Sequence, residues 1–483
     1  MLRSRAWMPA LLAVIATAAF APAASARPLV TGLIDGTGAF GGPDAELAFE
    51  RTAAAGAGAI RMGVSWLEAS PQRPADPSNP DDAAYRWGSV DRRVRLAAAN
   101  GLEPLVYVTH VPGWARTSDR DGFVRPRPED LAAFGAAMAR RYSGAPGGLP
   151  RVRHWQVWNE PNLDYYLVQN GNAGADHYRD MVNAYADAVK RVAADNVVVA
   201  GGTGPFSGNS TQTWGTPALK FMSRLLCTST GPRPRKTCDA SIRFDVWAHN
   251  PYTSGGPVHR AQREGDVSLG DLPGMRRLLS AADRAGRIRA ERPVGFWVTE
   301  FSWDSGPPDP GGVPTREHAR WVAEGLYRMW RNGVSTVVWF GLRDAPAPRR
   351  VSWGETYHCG LWYRGGDSLR DDRPKPALRA FRFPFVALPA RRGRVALWGR
   401  TPDSRPGRVV VQRRVRGRWR RVVSLQADRY GIFRRTLATR SRATLRAVVG
   451  GEASTGFEPR RTRDRRVNPF GGDEPEPVTP KPD

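Results

Sequence analysis

Short runs of Val, Ile, Leu, Phe and Trp alternate eight times with helical stretches between Leu29 and Phe381, and this alternation restricts the fold more than any other feature of the chain. A continuous apolar run of four to eight residues closed by turn residues reads as a strand buried on both faces. Such strands separated by helices make a parallel sheet covered on both sides. The expected strands are 29–34, 59–66, 102–109, 152–158, 196–200, 244–248, 294–299 and 334–340. Between them, Pro128, Glu129 and Asp130 open one helix, and Gly56, Gly101, Gly286 and Gly333 stop four others. Eight units over roughly 360 residues fit an α/β fold of the (β/α)8 TIM-barrel type, at residues 27–385. An open doubly wound sheet is the alternative, but Gly36-x-Gly38 after the first strand, preceded by Asp35, is read as lacking the third glycine of a phosphate turn.

The pattern changes after the barrel. Segments such as Arg408-Val409-Val410-Val411-Gln412 and Thr444-Leu445-Arg446-Ala447-Val448-Val449 are short and separated by turn residues, so 391–455 reads as a small all-β, sandwich-like domain. Residues 456–483 read as a disordered, Pro- and charge-rich tail. The formal net charge is +26, and 391–466 holds 23 Arg against 5 acidic residues. That excess suits an anionic cell-surface polymer as partner. No nucleic-acid partner is expected, because 67 of the 72 basic residues are Arg, a skew that a GC-rich coding sequence produces by itself.

At the N-terminus, Arg3 and Arg5 precede the apolar run Met8–Phe20 and then Ala24-Ser25-Ala26. Residues 1–26 therefore read as a cleavable secretory signal of a secreted protein, too short to span a membrane, with no later spanning stretch. In an exported chain Cys227 and Cys238 can close a local disulfide, and Cys359 is left as a buried thiol. No spacing suggests a metal site, and no cofactor is implied.

Two expected strands end on carboxylates. Trp155-Gln156-Val157-Trp158-Asn159-Glu160-Pro161-Asn162 stops at Pro161, which cannot extend a ladder. Val294-Gly295-Phe296-Trp297-Val298-Thr299-Glu300-Phe301 repeats the design 140 positions later. Barrel enzymes carry their chemistry at the C-terminal strand ends, and paired carboxylates cleave glycosidic bonds. The other exits supply Arg61, His110, His249, Tyr252 and Trp339. Singly, each has an ordinary structural reading: a salt-bridged Glu, a satisfied His, a core Trp. Asp35, Glu68 and Asp304, also near exits, bind substrate or do nothing.

The octapeptide around Glu160 resembles the acid/base motif of the clan A glycoside hydrolases, the retaining (β/α)8 glycosidases that include families 5, 39 and 51. Glu300 falls where that clan carries its nucleophile, and the resemblance covers most of residues 28–385. It implies a secreted retaining O-glycoside hydrolase acting on β-linked oligo- or polysaccharide, with Glu160 as acid/base and Glu300 as nucleophile. Arg61 would keep Glu300 ionised, Tyr252 would orient it, and Asn159 would meet the sugar 2-hydroxyl. His110 and His249 would bind sugar hydroxyls or hold the carboxylates, and Trp339 would floor the reactive subsite. One departure stands out: family 5 usually has His-x-Tyr after strand six, whereas this chain has His249-Asn250-Pro251-Tyr252. A retaining enzyme needs its carboxyl groups about 5–5.5 Å apart, an inverting one about 6.5–9.5 Å. The competing readings are a non-catalytic carbohydrate-binding barrel and a cationic surface-binding protein. If the barrel is the enzyme, activity on soluble substrate is expected to survive loss of 391–483.

Overall fold

The computed structural model describes residues 27–467 apart from 118–124, 169–172, 209–211, 349–352, 354–355 and 440–441. The expected signal, 1–26, and the end of the expected tail, 468–483, lie outside the described residues. Eight parallel strands close a barrel: β1 (Val30–Ile34), β2 (Ala59–Ser65), β3 (Glu103–Thr109), β4 (His154–Gln156), β5 (Val197–Thr203), β6 (Val246–His249), β7 (Gly295–Val298) and β8 (Thr336–Phe340). Each pairs with the next, and β8 returns to β1 with Leu33 opposite Trp339 and Ile34 opposite Phe340. The helices around them are α1 (Ala45–Ala54), α2 (Gly88–Ala99), α3 (Pro128–Arg141), α4 (Ala173–Val192), α5 (Ala218–Leu225), α6 (Leu272–Arg284), α7 (Thr315–Arg331) and α8 (Pro376–Arg382). In α3, Pro128 sits in the first turn with Glu129 and Asp130, and Arg140 and Arg141 occupy the last, matching the helix dipole at both ends.

Successive strand side chains point to opposite faces. Leu105, Val197, Val199, Val246 and Ala248, with Trp297 against them, form one cluster inside the barrel. The alternate set, including Val106, Trp155, Val198, Trp247, Phe296, Val298 and Trp339, packs outward into the large core shared with the helices.

Two local readings change. The stretch Gly36-Thr37-Gly38-Ala39-Phe40-Gly41 does carry three glycines at dinucleotide-loop spacing. Yet Asp35 accepts the backbone N–H groups of Thr37 (2.7 Å) and Phe40 (2.8 Å), so a side-chain carboxylate already fills the place of a phosphate. Strand β5 runs beyond Ala200 to Thr203, because Gly201 and Gly202 take φ of +85° and +63° and carry the ladder through an irregular register against β6.

The C-terminal domain is a pair of antiparallel sheets. One joins β9 (Phe385–Ala390), β10 (Arg394–Arg400) and β13 (Ile432–Leu437); the other joins β11 (Gly407–Val415), β12 (Arg418–Ala427), β14 (Leu445–Val449) and β15 (Glu452–Ala453). It follows α8 almost directly. Arg400, fully buried, donates to the Leu29 carbonyl at 2.9 Å and to Thr31 Oγ1 at 3.0 Å, which ties the sheet to the foot of β1. On β11 and β12, Arg413 lies directly opposite Arg420, a like-charge pairing that opposes folding. A disulfide joins Cys227 to Cys238, and Cys359 is buried and free. Among the described residues no helix is long and apolar enough to cross a membrane.

The expectation of disorder from residue 456 onward fails for 456–467. Phe457 and Leu445 exchange both backbone hydrogen bonds, at 2.8 and 3.0 Å. Beyond it, buried Arg320 of α7 donates to the carbonyls of Glu458 (2.9 Å) and Arg460 (2.7 Å). A guanidinium that collects backbone carbonyls orders a segment whose composition alone would not.

Candidate active site

Arg61 enters the barrel from β2 and is 1% exposed. Its guanidinium has three recipients: Nε donates to Gln156 Oε1 at 2.9 Å, one terminal nitrogen to Asn159 Oδ1 at 2.7 Å, and the other to Glu300 Oε1. Its flat face lies 3.7 Å from the ring centroid of Tyr107 on β3. One cation thus fixes the exit of β4 and the exit of β7 relative to each other. Tyr252 donates its hydroxyl to the second Glu300 oxygen at 3.3 Å.

Glu160 occupies strained backbone. Trp158 and Glu160 have φ of +69° and +39°, the left-handed region that non-glycine residues avoid. The turn is held because the Glu160 N–H donates to the Gly202 carbonyl at 3.1 Å and Gln156 Nε2 donates to the Trp158 carbonyl at 3.1 Å. Glycines at the end of β5 and just beyond it make room for the turn. A Cβ on Gly202 would stand 2.4 Å from Gln156 Nε2, and one on Gly204 would stand 3.3 Å from the Glu160 carboxyl carbon. Glu160 Oε1 accepts from Asn250 Nδ2 at 2.9 Å, and Asn250 Oδ1 in turn accepts from Thr299 Oγ1 at 2.8 Å. Desolvation first, and the charge of Glu300 second, push the Glu160 carboxyl up to about 8, against the opposing pull of Asn250 and Arg61.

The expected residues therefore divide. Arg61, Asn159, Glu300 and Tyr252 meet in one hydrogen-bonded network, and Glu160, bonded to Asn250 and through it to Thr299, lies near enough for the charge of Glu300 to act on it. His110 stands at its edge: exposed, with φ +52° and Nδ1 2.9 Å from Thr109 Oγ1, it makes no hydrogen bond to either glutamate. It lines a cavity of about 680 Å³ along the exits of β1 to β3, together with Asp35, Arg61, Glu68, Arg93 and Tyr107.

Two expectations are overturned. His249 does not reach a substrate or a carboxylate: it is fully buried, Nδ1 accepts from the Thr203 hydroxyl at 2.8 Å, and Nε2 donates to the Val267 carbonyl at 2.9 Å. Burial also pushes its pKa down to about 4. Trp339 does not floor the site: it is 1% exposed, donates Nε1 to the Cys359 carbonyl at 2.9 Å, and packs against Phe381 of α8 and His318 of α7. Both residues fall on the outward phase of their strands. Asp304 is likewise enclosed, accepting the His358 N–H at 3.0 Å.

The residues that sequence reasoning missed sit one position along. Asn250 continues the inward phase of Val246 and Ala248, and Phe340 continues that of Thr336 and Val338. The Phe340 ring meets Tyr357 edge-on at 4.9 Å, and Tyr357 is 40% exposed. Desolvation first, then the charges of Glu300, Cys359 and Glu160, raise the Tyr357 pKa. Strand phase points to both, but it does not hold past every strand end: Glu300 shares the parity of outward Phe296 and Val298 and still meets Arg61 and Tyr252. Among the described residues no group of three or more His, Cys, Asp or Glu side chains is placed to hold a metal ion.

Residues 30–252 match the family model for cellulases of glycosyl hydrolase family 5. No curated protein matches the sequence. Among solved structures, a family 39 glycoside hydrolase from the gut symbiont Bacteroides cellulosilyticus superposes with a TM-score of 0.53 at 17% identity, covering 84% of this chain and 79% of that one. A monomeric β-xylosidase from Caulobacter crescentus gives a TM-score of 0.49 at 17% identity, over 85% and 95% of the two chains. The barrel has the same fold as that family 39 glycoside hydrolase.

Proposed function

We propose that this glycoside hydrolase of the clan A fold cleaves β-linked glycosides with retention of configuration, through Glu300 as nucleophile and Glu160 as acid/base. The observation that carries the reading is the unequal treatment of two carboxyl groups that feel each other's charge. Glu300 is held by a buried guanidinium and a tyrosine hydroxyl, whereas Glu160 is desolvated and pushed up to about 8. A desolvated carboxyl that keeps its proton, facing one held as an acceptor by a cation and a hydroxyl, is how one site holds an acid and a nucleophile.

In the first step a Glu300 oxygen bonds to the anomeric carbon while the bond from that carbon to the leaving oxygen breaks, and the leaving oxygen takes the proton of Glu160. In the second, Glu160 takes a proton from water, the water oxygen bonds to the anomeric carbon, and Glu300 leaves as carboxylate. Esterification of Glu300 removes the charge that raises Glu160, so the same group turns from acid to base between steps. Arg61 occupies Oδ1 of Asn159, which directs the amide N–H groups toward the sugar 2-hydroxyl. Phe340 and Tyr357 offer an apolar face to the ring. The family model's description makes β-glucans the first substrates to screen.

The pH dependence tests the acid role. Glu160 must be protonated in the free enzyme, so kcat/KM should fall as pH rises through about 8. The fall should be steep for an alkyl or unactivated aryl glycoside and shallow for a dinitrophenyl glycoside, whose leaving oxygen needs no proton. Equal profiles for both substrates would rule Glu160 out as the acid.

A further inference from the structure

The loop that follows β6 carries Asn250 and Tyr252 to the two carboxylates, and its far side is held by the C-terminal segment. Asp464 Oδ1 accepts the Gly256 N–H at 3.0 Å, and Oδ2 meets His259 Nδ1 at 2.7 Å. Val467 N–H donates to the Ser254 carbonyl at 2.9 Å. From the barrel side, Trp303 Nε1 donates to the Gly255 carbonyl at 2.9 Å, so the loop is gripped between barrel and tail. The fit leaves no spare room: a Cβ on Gly255 would stand 2.5 Å from Asp464 Oδ1 and 2.4 Å from the His259 ring.

The segment is anchored at its other end. Phe457 is bridged to β14, and the Arg320 guanidinium lies 3.7 Å from the Phe457 ring centroid while it binds the Glu458 and Arg460 carbonyls. Thr462 donates its hydroxyl to Glu324, one turn further along α7. A fixed strap therefore runs from the β domain, along α7, to Ser254, two residues past Tyr252 and four past Asn250.

We infer that Asp464 is a positioning residue: the strap sets the Asn250 and Tyr252 side chains against Glu160 and Glu300. This rests on the reading of those glutamates as the reacting pair. It also reverses the expectation that soluble-substrate activity survives loss of 391–483, because that deletion removes the outer grip on the loop.

The test uses full-length Asp464→Ala and Asp464→Asn. Asparagine keeps an oxygen for the Gly256 N–H and a polar group for the His259 ring; alanine keeps neither. In the alanine variant, amide exchange at 254–259 should quicken about tenfold or more, since a local hydrogen-bonded closure is lost. Its kcat should fall about tenfold with KM changed less than about twofold, because the displaced groups orient the carboxylates and do not themselves bind most of the sugar. Asparagine should keep at least half of the wild-type kcat. An unchanged kcat in the alanine variant, or an equal loss in the asparagine variant, overturns the inference. Wild-type protein without glycosidase turnover would sink the enzymatic reading instead, and amide exchange would still decide whether Asp464 holds the loop.

Discussion

Glu300→Ala should lower kcat by about four orders of magnitude or more, which is roughly 5.5 kcal/mol of lost transition-state stabilisation. The size follows from the role: without the carboxylate no oxygen can bond to the anomeric carbon, and water has no base on that face. The surrounding shell should survive, since Arg61 keeps its bonds to Gln156 and Asn159 and its contact with Tyr107. The truncation leaves a vacancy lined by the Arg61 guanidinium and the Tyr252 hydroxyl, which suits a small anion. Added azide should restore turnover of an activated aryl glycoside and release a glycosyl azide of inverted configuration. Residual activity within about tenfold of wild type without azide is incompatible with a nucleophilic Glu300.

Lys375→Met should destabilise the fold by about 3–5 kcal/mol, the usual result of removing one partner of a buried ion pair. Lys375 is 2% exposed, and its ammonium donates to Asp344 Oδ1 at 2.6 Å, Ser305 Oγ at 2.8 Å and the His358 carbonyl at 2.9 Å. These contacts bind the end of β7, the end of β8 and the insertion that carries Tyr357. Methionine fills the space and leaves the Asp344 charge alone. Burial pushes the Asp344 carboxyl up to about 6, against the pull of Lys375. Losing that pull raises it further, so the variant can escape its buried charge by taking a proton. The deficit should therefore be largest above the raised pKa of the variant and shrink as pH falls toward about 6, below which Asp344 is neutral in both proteins. Urea titrations at pH 5 and pH 8 measure this directly; an equal deficit at both would mean that lost packing, not the stranded carboxylate, is responsible.

The barrel was legible because its signal is repeated. Each strand is a short apolar run, four of the helices end on a glycine, and the observed strands lie within a few residues of the expected ones. Arg61, Asn159, Glu160, Tyr252 and Glu300 were legible because residue type and strand exit coincide. His249 and Trp339 were misplaced by a single step. They have the right chemistry for a sugar site, but a strand turns each side chain to the opposite face from its neighbour, so proximity to an exit says nothing about direction. Asn250 and Phe340, less eye-catching in sequence, hold the inward phase. Gly201 and Gly202 read as a strand stop, and their positive φ instead carries β5 past Glu160. The strap was illegible for a different reason. Its order comes from Arg320 and His259, each far from it in sequence, and composition alone describes a segment without its partners.

Retention through a glycosyl–Glu300 ester is tested most directly by following the first-formed product of the wild-type enzyme by proton NMR, using an aryl β-glycoside and times short against mutarotation. The anomeric signal should appear first as the β-hemiacetal and only later drift toward the equilibrium mixture. An α-hemiacetal as first product would mean that water, not Glu300, attacks the sugar.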